Sequence, residues 1–317
     1  MLLAVAWAVA LGGLALGWAS LGGLRSQRLD MLTHFAPAAL AAGLIALLLW
    51  FFVARRTKLL FAAAVLALVP PLALMGPELA RATGWKSPAP PGAEQIRVLQ
   101  FNLWSSNTDP EATLAYILKA DADIVLLQEA QGQAVPIVEA LAERYPHSVS
   151  CYWGYHCDPR VLLKKPPLAI SRENPGPKGT ESTDIGQVVW VRTTTPRGVP
   201  FTAVSLHLGW PTPFGNQSFD RTRFLRELAT LPREGLIIGG DFNSTPWSFA
   251  MGRQDRAVGL PRRTRAVATW PAPFPVIPID HLYAGPEWRT VSIERGPWLG
   301  SDHRAILTTL AYSPRPG

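Results

Sequence analysis

One stretch, Ile237-Ile238-Gly239-Gly240-Asp241-Phe242-Asn243-Ser244-Thr245-Pro246, sets the organisation of this chain. Its apolar start, from Leu236 to Ile238, is typical of a buried strand. The two glycines allow the backbone to turn tightly, and Asp241 and Asn243 follow at once. Asp241 offers acceptor oxygens only, whereas Asn243 offers a donor and an acceptor. The pattern predicts a strand that ends in chemically active side chains, although an ordinary Gly-Asp turn after a core strand would have the same sequence.

Other apolar strands end in the same way. The residues of catalytic type that follow predicted strands are Asn102, Glu129, His207, Asp241, and later Asp280 and Asp302. Enzymes place catalytic groups where strands give way to loops. We therefore expect these carboxylates, amides and imidazoles to converge at one edge of a sheet.

The remaining pattern predicts many short strands and few helices. Strands are expected at 96–101, 123–127, 188–192, 201–206, 236–240, 279–284, 289–294 and 304–311. Helices are expected at 110–119, 133–144 and 218–230. This order favours sheets packed on each other with helices outside them.

The N-terminal part contains three uncharged apolar runs, at residues 2–24, 36–53 and 59–76. A helix that crosses a bilayer needs about 20 apolar residues, within a range of roughly 17–25. We therefore predict three transmembrane helices within residues 1–76, although Pro70-Pro71 could kink or end the third. A proline-rich linker is predicted at residues 77–94. A cleaved signal peptide would explain the first run alone, and that run lacks a basic start.

The charge of the 317-residue chain is unevenly spread. Residues 1–93 carry a net charge of +5, and residues 94–317 carry only +2. The basic excess therefore comes mostly from the membrane flanks, which gives little support for a nucleic-acid-binding face. The densest basic cluster of the second part, Arg262, Arg263 and Arg265, is interpreted as a solvated loop, and contact with a polyanionic substrate is the alternative.

The membrane orientation follows weakly from the loops. Arg55, Arg56 and Lys58 separate the second and third runs. The positive-inside rule places this loop in the cytoplasm and the C-terminal domain outside. Arg81 and Lys86 favour the opposite orientation.

The two cysteines, Cys151 and Cys157, bear on the same question. Five residues separate them, and one of these is His156. We favour a small-loop disulfide, which requires an oxidising compartment, and a metal site that includes His156 is the alternative. On this interpretation the C-terminal domain is extracytoplasmic.

Six motifs, taken in order, resemble the endonuclease/exonuclease/phosphatase superfamily. They are Asn102 after a strand, Gln128-Glu129, Ser205-Leu206-His207-Leu208, Gly240-Asp241-Phe242-Asn243, Ile279-Asp280-His281 and Ser301-Asp302-His303. The superfamily includes pancreatic-type deoxyribonucleases, abasic-site endonucleases, bacterial sphingomyelinases and inositol polyphosphate 5-phosphatases. The resemblance covers residues 95–312, and the variants Thr245-Pro246-Trp247-Ser248 and Thr269-Trp270-Pro271 look like those of bacterial membrane-anchored members.

The resemblance implies a fold, a chemistry and a set of roles. The fold would be a four-layer α/β/β/α sandwich, here preceded by three transmembrane helices. The chemistry would be phosphoester hydrolysis aided by Mg²⁺ or Mn²⁺. The implied metal site comprises Glu129, Asn102 and Asp302. The implied catalytic groups are Asp241 and Asn243 at the attacking water, His207 and His303 at the scissile phosphate, and Asp280 as the partner of His303.

The sequence thus predicts a divalent-metal-dependent phosphoester hydrolase, either a phosphodiesterase or a phosphatase. We expect a multi-pass protein of the bacterial inner membrane with an extracytoplasmic catalytic domain. The substrate stays open between a lipid headgroup, a sugar phosphate and a nucleic acid, and no protein partner is predicted. A membrane-anchored nuclease is the alternative. A non-catalytic binding module on the same fold is disfavoured because no motif residue is missing.

Overall fold

A computed structural model describes residues 1–83, 86–150, 158–171, 187–212 and 215–313 of the protein. Cys151, Cys157 and His156 lie outside the described residues, so the disulfide stays a prediction. The chain forms two compact units. The first comprises Met1–Thr83 with Ser244–Gln254, and the second comprises Gly84–Asn243 with Asp255–Gly317.

The first unit is helical. Its helices are α1 (Leu2–Leu21), α2 (Gln27–Asp30), α3 (Ala36–Val53) and α4 (Lys58–Arg81), with short 3-10 turns at Gly22–Leu24 and Met31–Phe35. Helices α1, α3 and α4 are long and apolar enough to cross a membrane. Small residues let α1 and α3 approach closely, since a Cβ added at Gly13 would lie 2.9 Å from Ala42 Cβ. Pro70 and Pro71 do not end α4, which continues to Arg81.

The second unit contains two sheets. The strands are β1 (Gln95–Asn102), β2 (Ile124–Gln128), β3 (His147–Ser150), β4 (Arg160–Leu163), β5 (Ala169–Ile170), β6 (Val188–Thr194), β7 (Pro200–His207), β8 (Ile237–Asp241), β9 (Asp280–Ala284), β10 (Trp288–Arg295) and β11 (Ile306–Tyr312). The first sheet has the order β10-β11-β1-β2-β4-β3, and the second has the order β5-β6-β7-β8-β9.

The remaining helices are α5 (Pro110–Ala120), α6 (Val135–Ala140), α7 (Asn216–Leu228) and α8 (Phe249–Val258). The helix predicted at 133–144 is found in part, since only Val135–Ala140 is α-helical and a 3-10 turn lies at each of its ends. The sequence did not predict β3, β4, β5 or α8. The three strands have only two to four residues, too few to show a period, and α8 contains few large apolar residues.

The apolar core follows from the alternation of side chains along the strands. On β1, Ile96 and Val98 face the second sheet, where they pack with residues such as Ile237 and Leu282. Leu99, also on β1, faces the other way and joins the core beneath α5 and α6. The two sheets therefore pack face to face, and helices cover the outer face of the first sheet. This mixed α/β arrangement agrees with the predicted fold class.

The same alternation turns polar at one end of the core. Gln100 on β1 and Gln128 on β2 continue the inward-facing rows of their strands, and both are buried. Gln100 Nε2 donates to Gln128 Oε1 at 2.8 Å within the first sheet, and Gln128 Nε2 donates to Ser205 Oγ on β7 at 2.9 Å. The second bond links the two sheets where hydrophobic packing stops. These hydrogen bonds mark the floor of the candidate site.

Candidate active site

Strand direction brings the predicted residues to one edge. Strands β1 and β2 are parallel, and so are β7 and β8, with His207 opposite Asp241 in register. Strand β9 is antiparallel to β8, so its first residue, Asp280, lies opposite Asp241. Strand β11 is antiparallel to β1, so the segment before Ile306 meets the end of β1. This edge therefore contains the C-terminal ends of β1, β2, β7 and β8 and the N-terminal ends of β9 and β11.

Gly240 is required within this edge. A Cβ added there would lie 1.9 Å from the backbone oxygen of Leu206. Backbone atoms cannot yield as a flexible side chain can, so any larger residue would separate β7 from β8. The glycine keeps His207 and Asp241 in register.

Asp280 and His303 form the first carboxylate–imidazole pair. His303 Nδ1 lies 2.8 Å from Asp280 Oδ2, and both side chains are buried. Gln100 Nε2 donates to Asp280 Oδ1 at 2.8 Å, and the Thr269 hydroxyl donates to Oδ2. Burial alone would raise the pKa of Asp280, but the His303 charge and these hydrogen bonds lower it. Asp280 therefore stays ionised and fixes the orientation of the imidazole.

Asp158 and His207 form a second pair of the same kind. His207 Nδ1 lies 2.7 Å from Asp158 Oδ2. Burial would lower the pKa of His207, but the Asp158 carboxylate outweighs it and raises this pKa to about 10. Likewise, Asp280 and Asp241 overcome burial and raise the pKa of His303 to about 10. Both imidazoles therefore carry a positive charge at neutral pH.

Asp241 lies between the two imidazoles. Its Oδ2 is 3.6 Å from the Nε2 atom of His207 and 3.6 Å from the Nε2 atom of His303. Its Oδ1 accepts the backbone N–H of Asn243 at 2.8 Å. Burial raises the pKa of Asp241 to about 6, although both imidazolium charges act against the increase. A carboxylate with such a pKa is ionised at neutral pH and can still accept a proton.

Asn102 connects Asp241 to Glu129. Its Nδ2 atom lies 3.1 Å from Glu129 Oε1 and 3.1 Å from Asp241 Oδ2. Its Oδ1 accepts the backbone N–H of Trp104 at 2.9 Å. In this orientation Asn102 donates to the carboxylates, so its predicted role as an oxygen ligand would require the amide to turn over.

Glu129 and Asp302 complete the acidic group. Burial would raise the pKa of Glu129, but the His207 charge and the Ser105 N–H outweigh it and lower this pKa. Burial raises the pKa of Asp302, and the charge of Glu129 adds to the increase. Asp302 Oδ1 is buried and has no hydrogen-bond partner among the residues that the structure describes. This oxygen is available to a cation.

The donor chemistry fits a hard divalent ion. Mg²⁺ prefers oxygen ligands and is usually held by one or two carboxylates, which Glu129 and Asp302 can supply. A second group, Asp241, Asp280 and His303, has donor atoms that all lie within 4.8 Å of one another. We interpret this second group as hydrogen-bonded, because the His303 Nδ1 to Asp280 Oδ2 distance of 2.8 Å places a proton between them. The ligand set of Glu129, Asn102 and Asp302 remains a prediction.

Asn243 holds an unusual backbone conformation beside Asp241. Its φ is +46°, and Glu129 and Trp104 at the same edge also have positive φ values, of +49° and +59°. Such conformations are uncommon outside glycine and concentrate at functional sites. Asn243 Nδ2 donates to the backbone oxygen of Leu208 at 2.8 Å and lies 3.4 Å from His207 Nε2. The structure thus places the amide beside the imidazole.

Two tryptophans lie next to Asp302. Trp270 Nε1 is 3.3 Å from Asp302 Oδ2. The Trp210 ring packs edge to face on Trp270 with a centroid distance of 5.9 Å, and Trp210 is 55% exposed. An exposed aromatic surface therefore adjoins the acidic group.

Sequence reasoning missed several residues of the site. Asp158, the partner of His207, follows the cysteine pair and precedes an unpredicted strand, so no strand-end signal marked it. Gln100, Gln128 and Thr269 hold the carboxylates or link the sheets. A glutamine at an inward-facing position of an otherwise apolar strand was the available signal for Gln100.

The basic cluster is structural in part. Arg262 is buried, and its guanidinium lies 3.2 Å from both carboxylate oxygens of Asp255. Arg263 donates to the backbone oxygens of Ala284 and Gly285. The interpretation as a solvated loop is therefore wrong for Arg262, because its charge is neutralised inside the fold.

Replacing Asp158 with asparagine is expected to deprotonate His207. Without the carboxylate, burial still lowers the pKa of His207 and only Asp241 and Glu129 oppose it, so this pKa falls from about 10 towards its ordinary range. The His207 imidazole is positively charged at pH values below its pKa. Because the pKa is lower in the variant, His207 loses its charge at a lower pH than in the wild type. We expect the alkaline limb of the pH–kcat profile to shift down, with kcat at about pH 8 reduced roughly tenfold to a hundredfold. Asp123→Asn, at the other end of β2, is the matched control, and an unshifted profile in Asp158→Asn would contradict the pairing.

The sequence of residues 99–303 matches the profile of the Endonuclease/Exonuclease/phosphatase family. A search of curated proteins found no match.

Solved structures with the same fold come from several organisms. The endonuclease/exonuclease/phosphatase from Bacteroides vulgatus is 18% identical, with a TM-score of 0.56, and the match covers 69% of this chain and 99% of that one. The endonuclease/exonuclease/phosphatase from Beutenbergia cavernae is 18% identical, with a TM-score of 0.53, covering 70% and 73%. The D. rerio TDP2 complexed with single-strand DNA product is 17% identical, with a TM-score of 0.50, covering 68% and 98%. At these identities the similarity establishes the fold.

Proposed function

Because the chain belongs to the Endonuclease/Exonuclease/phosphatase family, we propose that it is a divalent-metal-dependent phosphoester hydrolase, anchored in a membrane by its N-terminal helices. One observation carries the proposal. A buried carboxylate, Asp241, lies between two imidazoles that are each oriented by a second carboxylate. The carboxylate can accept a proton from water, and the two imidazoles can offer positive charge to a phosphate at the same place.

The proton acceptor is Asp241. Its carboxylate is held by the Asn243 N–H and the Asn102 amide, so it need not reorganise during the reaction. The pKa of about 6 makes it a base suited to neutral pH. Asn243 and Asp241 would together orient the attacking water.

The imidazoles bind and neutralise the phosphoryl group. In each, Nδ1 faces its carboxylate partner, so the protonated Nε2 points towards the centre of the site. The scissile phosphate would accept hydrogen bonds from both Nε2 atoms. Fixed donors aimed at developing negative charge are among the largest contributions to enzymatic rate.

Glu129 and Asp302 would hold the divalent cation, with Asn102 beside them. When bound, the cation supplies Lewis-acid stabilisation of the phosphoryl and leaving oxygens. The buried Oδ1 of Asp302, which has no partner among the described residues, and the low pKa of Glu129 support this assignment.

The substrate class is a further part of the proposal. A lipid headgroup or its products fit an enzyme with membrane-spanning helices and an exposed Trp210 beside the site. The net charge of +2 over residues 94–317 argues against a nucleic acid. A nuclease is nevertheless an outcome of the test, since the zebrafish relative was solved with a single-strand DNA product. The convergence of the motif residues favours an enzyme over a binding module.

The test uses the purified full-length protein in detergent or nanodiscs. The substrates are bis-p-nitrophenyl phosphate, p-nitrophenyl phosphate, single-stranded and duplex DNA, a sugar phosphate, and vesicles of sphingomyelin or phosphatidylinositol. Each is assayed with Mg²⁺, with Mn²⁺ and with EDTA. We expect hydrolysis of at least one phosphoester that EDTA abolishes and Mg²⁺ or Mn²⁺ restores. Ligand binding without turnover under every metal would instead support the binding module, and turnover that persists in EDTA would contradict the metal dependence.

A further inference from the structure

The segment that follows the Gly-Asp-Phe-Asn motif belongs to the membrane unit. Ser244–Gln254 belongs to the first compact unit together with Met1–Thr83, although in the chain it directly follows Asn243, which belongs to the second unit. Five polar contacts attach it to the short stretch between the first two apolar helices. These contacts involve residues 30–34 on one side and residues 245–250 on the other.

Asp30 caps helix α8 from a distant part of the sequence. Its Oδ1 accepts the N–H of Phe249 at 2.9 Å, and its Oδ2 accepts the N–H of Ala250 at 2.7 Å. The first N–H groups of a helix have no partner within the helix, and a carboxylate there also complements the helix dipole. Asp30 is only 4% exposed, and Arg253 Nη2 lies 3.5 Å from its Oδ2. A buried charge of this kind is costly unless it is partnered, so the cap accounts for its position.

Thr33 and His34 hold the residues before the helix. The Thr33 backbone oxygen accepts the indole N–H of Trp247 at 2.8 Å. His34 Nδ1 accepts the N–H of Thr245 at 3.2 Å and lies 2.9 Å from its hydroxyl oxygen. Thr245 is fully buried.

Apolar packing supports these hydrogen bonds. Trp247, 6% exposed, forms a small core cluster with Ala36 at the start of α3 and Met75 on α4. The segment is therefore an integral part of the first unit. It is fixed at Thr245, only two residues after Asn243.

We propose that Asp30, Thr33 and His34 are positioning residues for the active site. Asn243, with its left-handed φ of +46°, is separated by a single residue from Thr245, whose N–H and hydroxyl contact His34. The Asn243 N–H in turn fixes Asp241 Oδ1. The stretch between the first two membrane helices thus acts through the backbone on the proposed base, an inference that rests on the proposed function.

The topology of a three-span protein agrees with this role. If α1, α3 and α4 each cross the membrane, the stretch from Gly22 to Phe35 emerges on the same side as the chain after α4. Asp30 is also one of only two acidic residues among the first 93, the other being Glu78. The cap that Asp30 provides accounts for an isolated acid in a stretch whose other charged residues are Arg25 and Arg28.

The test compares Asp30→Asn, Asp30→Ala and His34→Leu in the full-length protein, with Arg25→Gln as the control. Arg25 lies in the same stretch and is exposed. Kinetics use bis-p-nitrophenyl phosphate, which is soluble and does not depend on a membrane surface. Hydrogen exchange is measured over peptides that cover residues 241–254. The graded pair at Asp30 separates the loss of one acceptor oxygen from the loss of both.

We expect hydrogen exchange over residues 241–254 to be faster in Asp30→Asn than in the wild type, and faster still in Asp30→Ala. The value of kcat should fall by about tenfold to a hundredfold, with KM changed less than about threefold, because misplaced catalytic groups reduce rate rather than binding. Arg25→Gln should resemble the wild type in both measurements. Faster exchange at 245–254 with unchanged kcat and unchanged exchange at 241–243 would overturn the positioning role. An inactive wild type would contradict the proposed function instead, and exchange at 241–243 would still decide this inference.

Discussion

Asp241→Asn is expected to reduce kcat by about 10²- to 10⁴-fold, the range typical of a lost general base. Asparagine has the shape of aspartate but accepts no proton. It also places an amide group 3.6 Å from two imidazole Nε2 atoms that now interact with a carboxylate. The side chain is 1% exposed, so water cannot replace the missing charge.

The measurement is kcat for the best substrate of the panel at saturating Mg²⁺. Asp123→Asn makes the same chemical change just before the start of β2, at the end of that strand away from the site, and should retain the wild-type rate. Thermal unfolding of both variants checks that the fold persists. A kcat for Asp241→Asn within threefold of the wild type would remove Asp241 from the mechanism.

Glu129→Ala is expected to lose metal-dependent hydrolysis, with kcat at fixed Mg²⁺ reduced about a hundredfold or more. The side chain supplies one of the two carboxylates assigned to the cation. Its Oε2 also accepts the Ser105 N–H at 3.1 Å, so Glu129→Gln is included to keep part of this hydrogen bonding. The pKa of Glu129 is lowered in the fold, so the wild-type side chain is ionised and able to bind a cation at neutral pH.

The distinguishing result is the dependence of rate on metal concentration. Both Glu129 variants should need a higher Mg²⁺ concentration for half-maximal activity, by about tenfold to a hundredfold or more. Glu139→Ala, an exposed glutamate on α6, is the matched control. An unchanged metal dependence and an unchanged rate in purified Glu129→Ala would contradict the metal assignment.

Much of the site was predictable because it lies where strong strand signals stop. The apolar runs before Asn102, Glu129, His207 and Asp241 are long enough to be identified from periodicity. Strand pairing and one hydrogen bond between the sheets bring Asn102, His207, Asp241 and Asp280 to one edge. The predicted partnership of Asp280 with His303 corresponds to a 2.8 Å contact.

The parts that escaped prediction share a physical cause. Asp158 pairs with His207 across 49 residues of sequence, and its own neighbourhood carries no periodic pattern. The orientation of the Asn102 amide depends on the Trp104 N–H and on two carboxylates from other strands. Hydrogen-bond partners that arise from tertiary contact leave no local trace in the chain.

The sequence by itself determined the apolar helices, the ends of the longer strands and the candidate residues that follow those ends, because these depend on local periodicity and on residue type. Only the tertiary structure decided which groups touch. It placed Asp241 between two charged imidazoles, and it oriented each imidazole by a carboxylate partner, Asp158 for His207 and Asp280 for His303. It also assigned the eleven residues after Asn243 to the first unit, where Asp30 holds them, because a buried carboxylate takes its partners from whatever the fold brings within 3 Å.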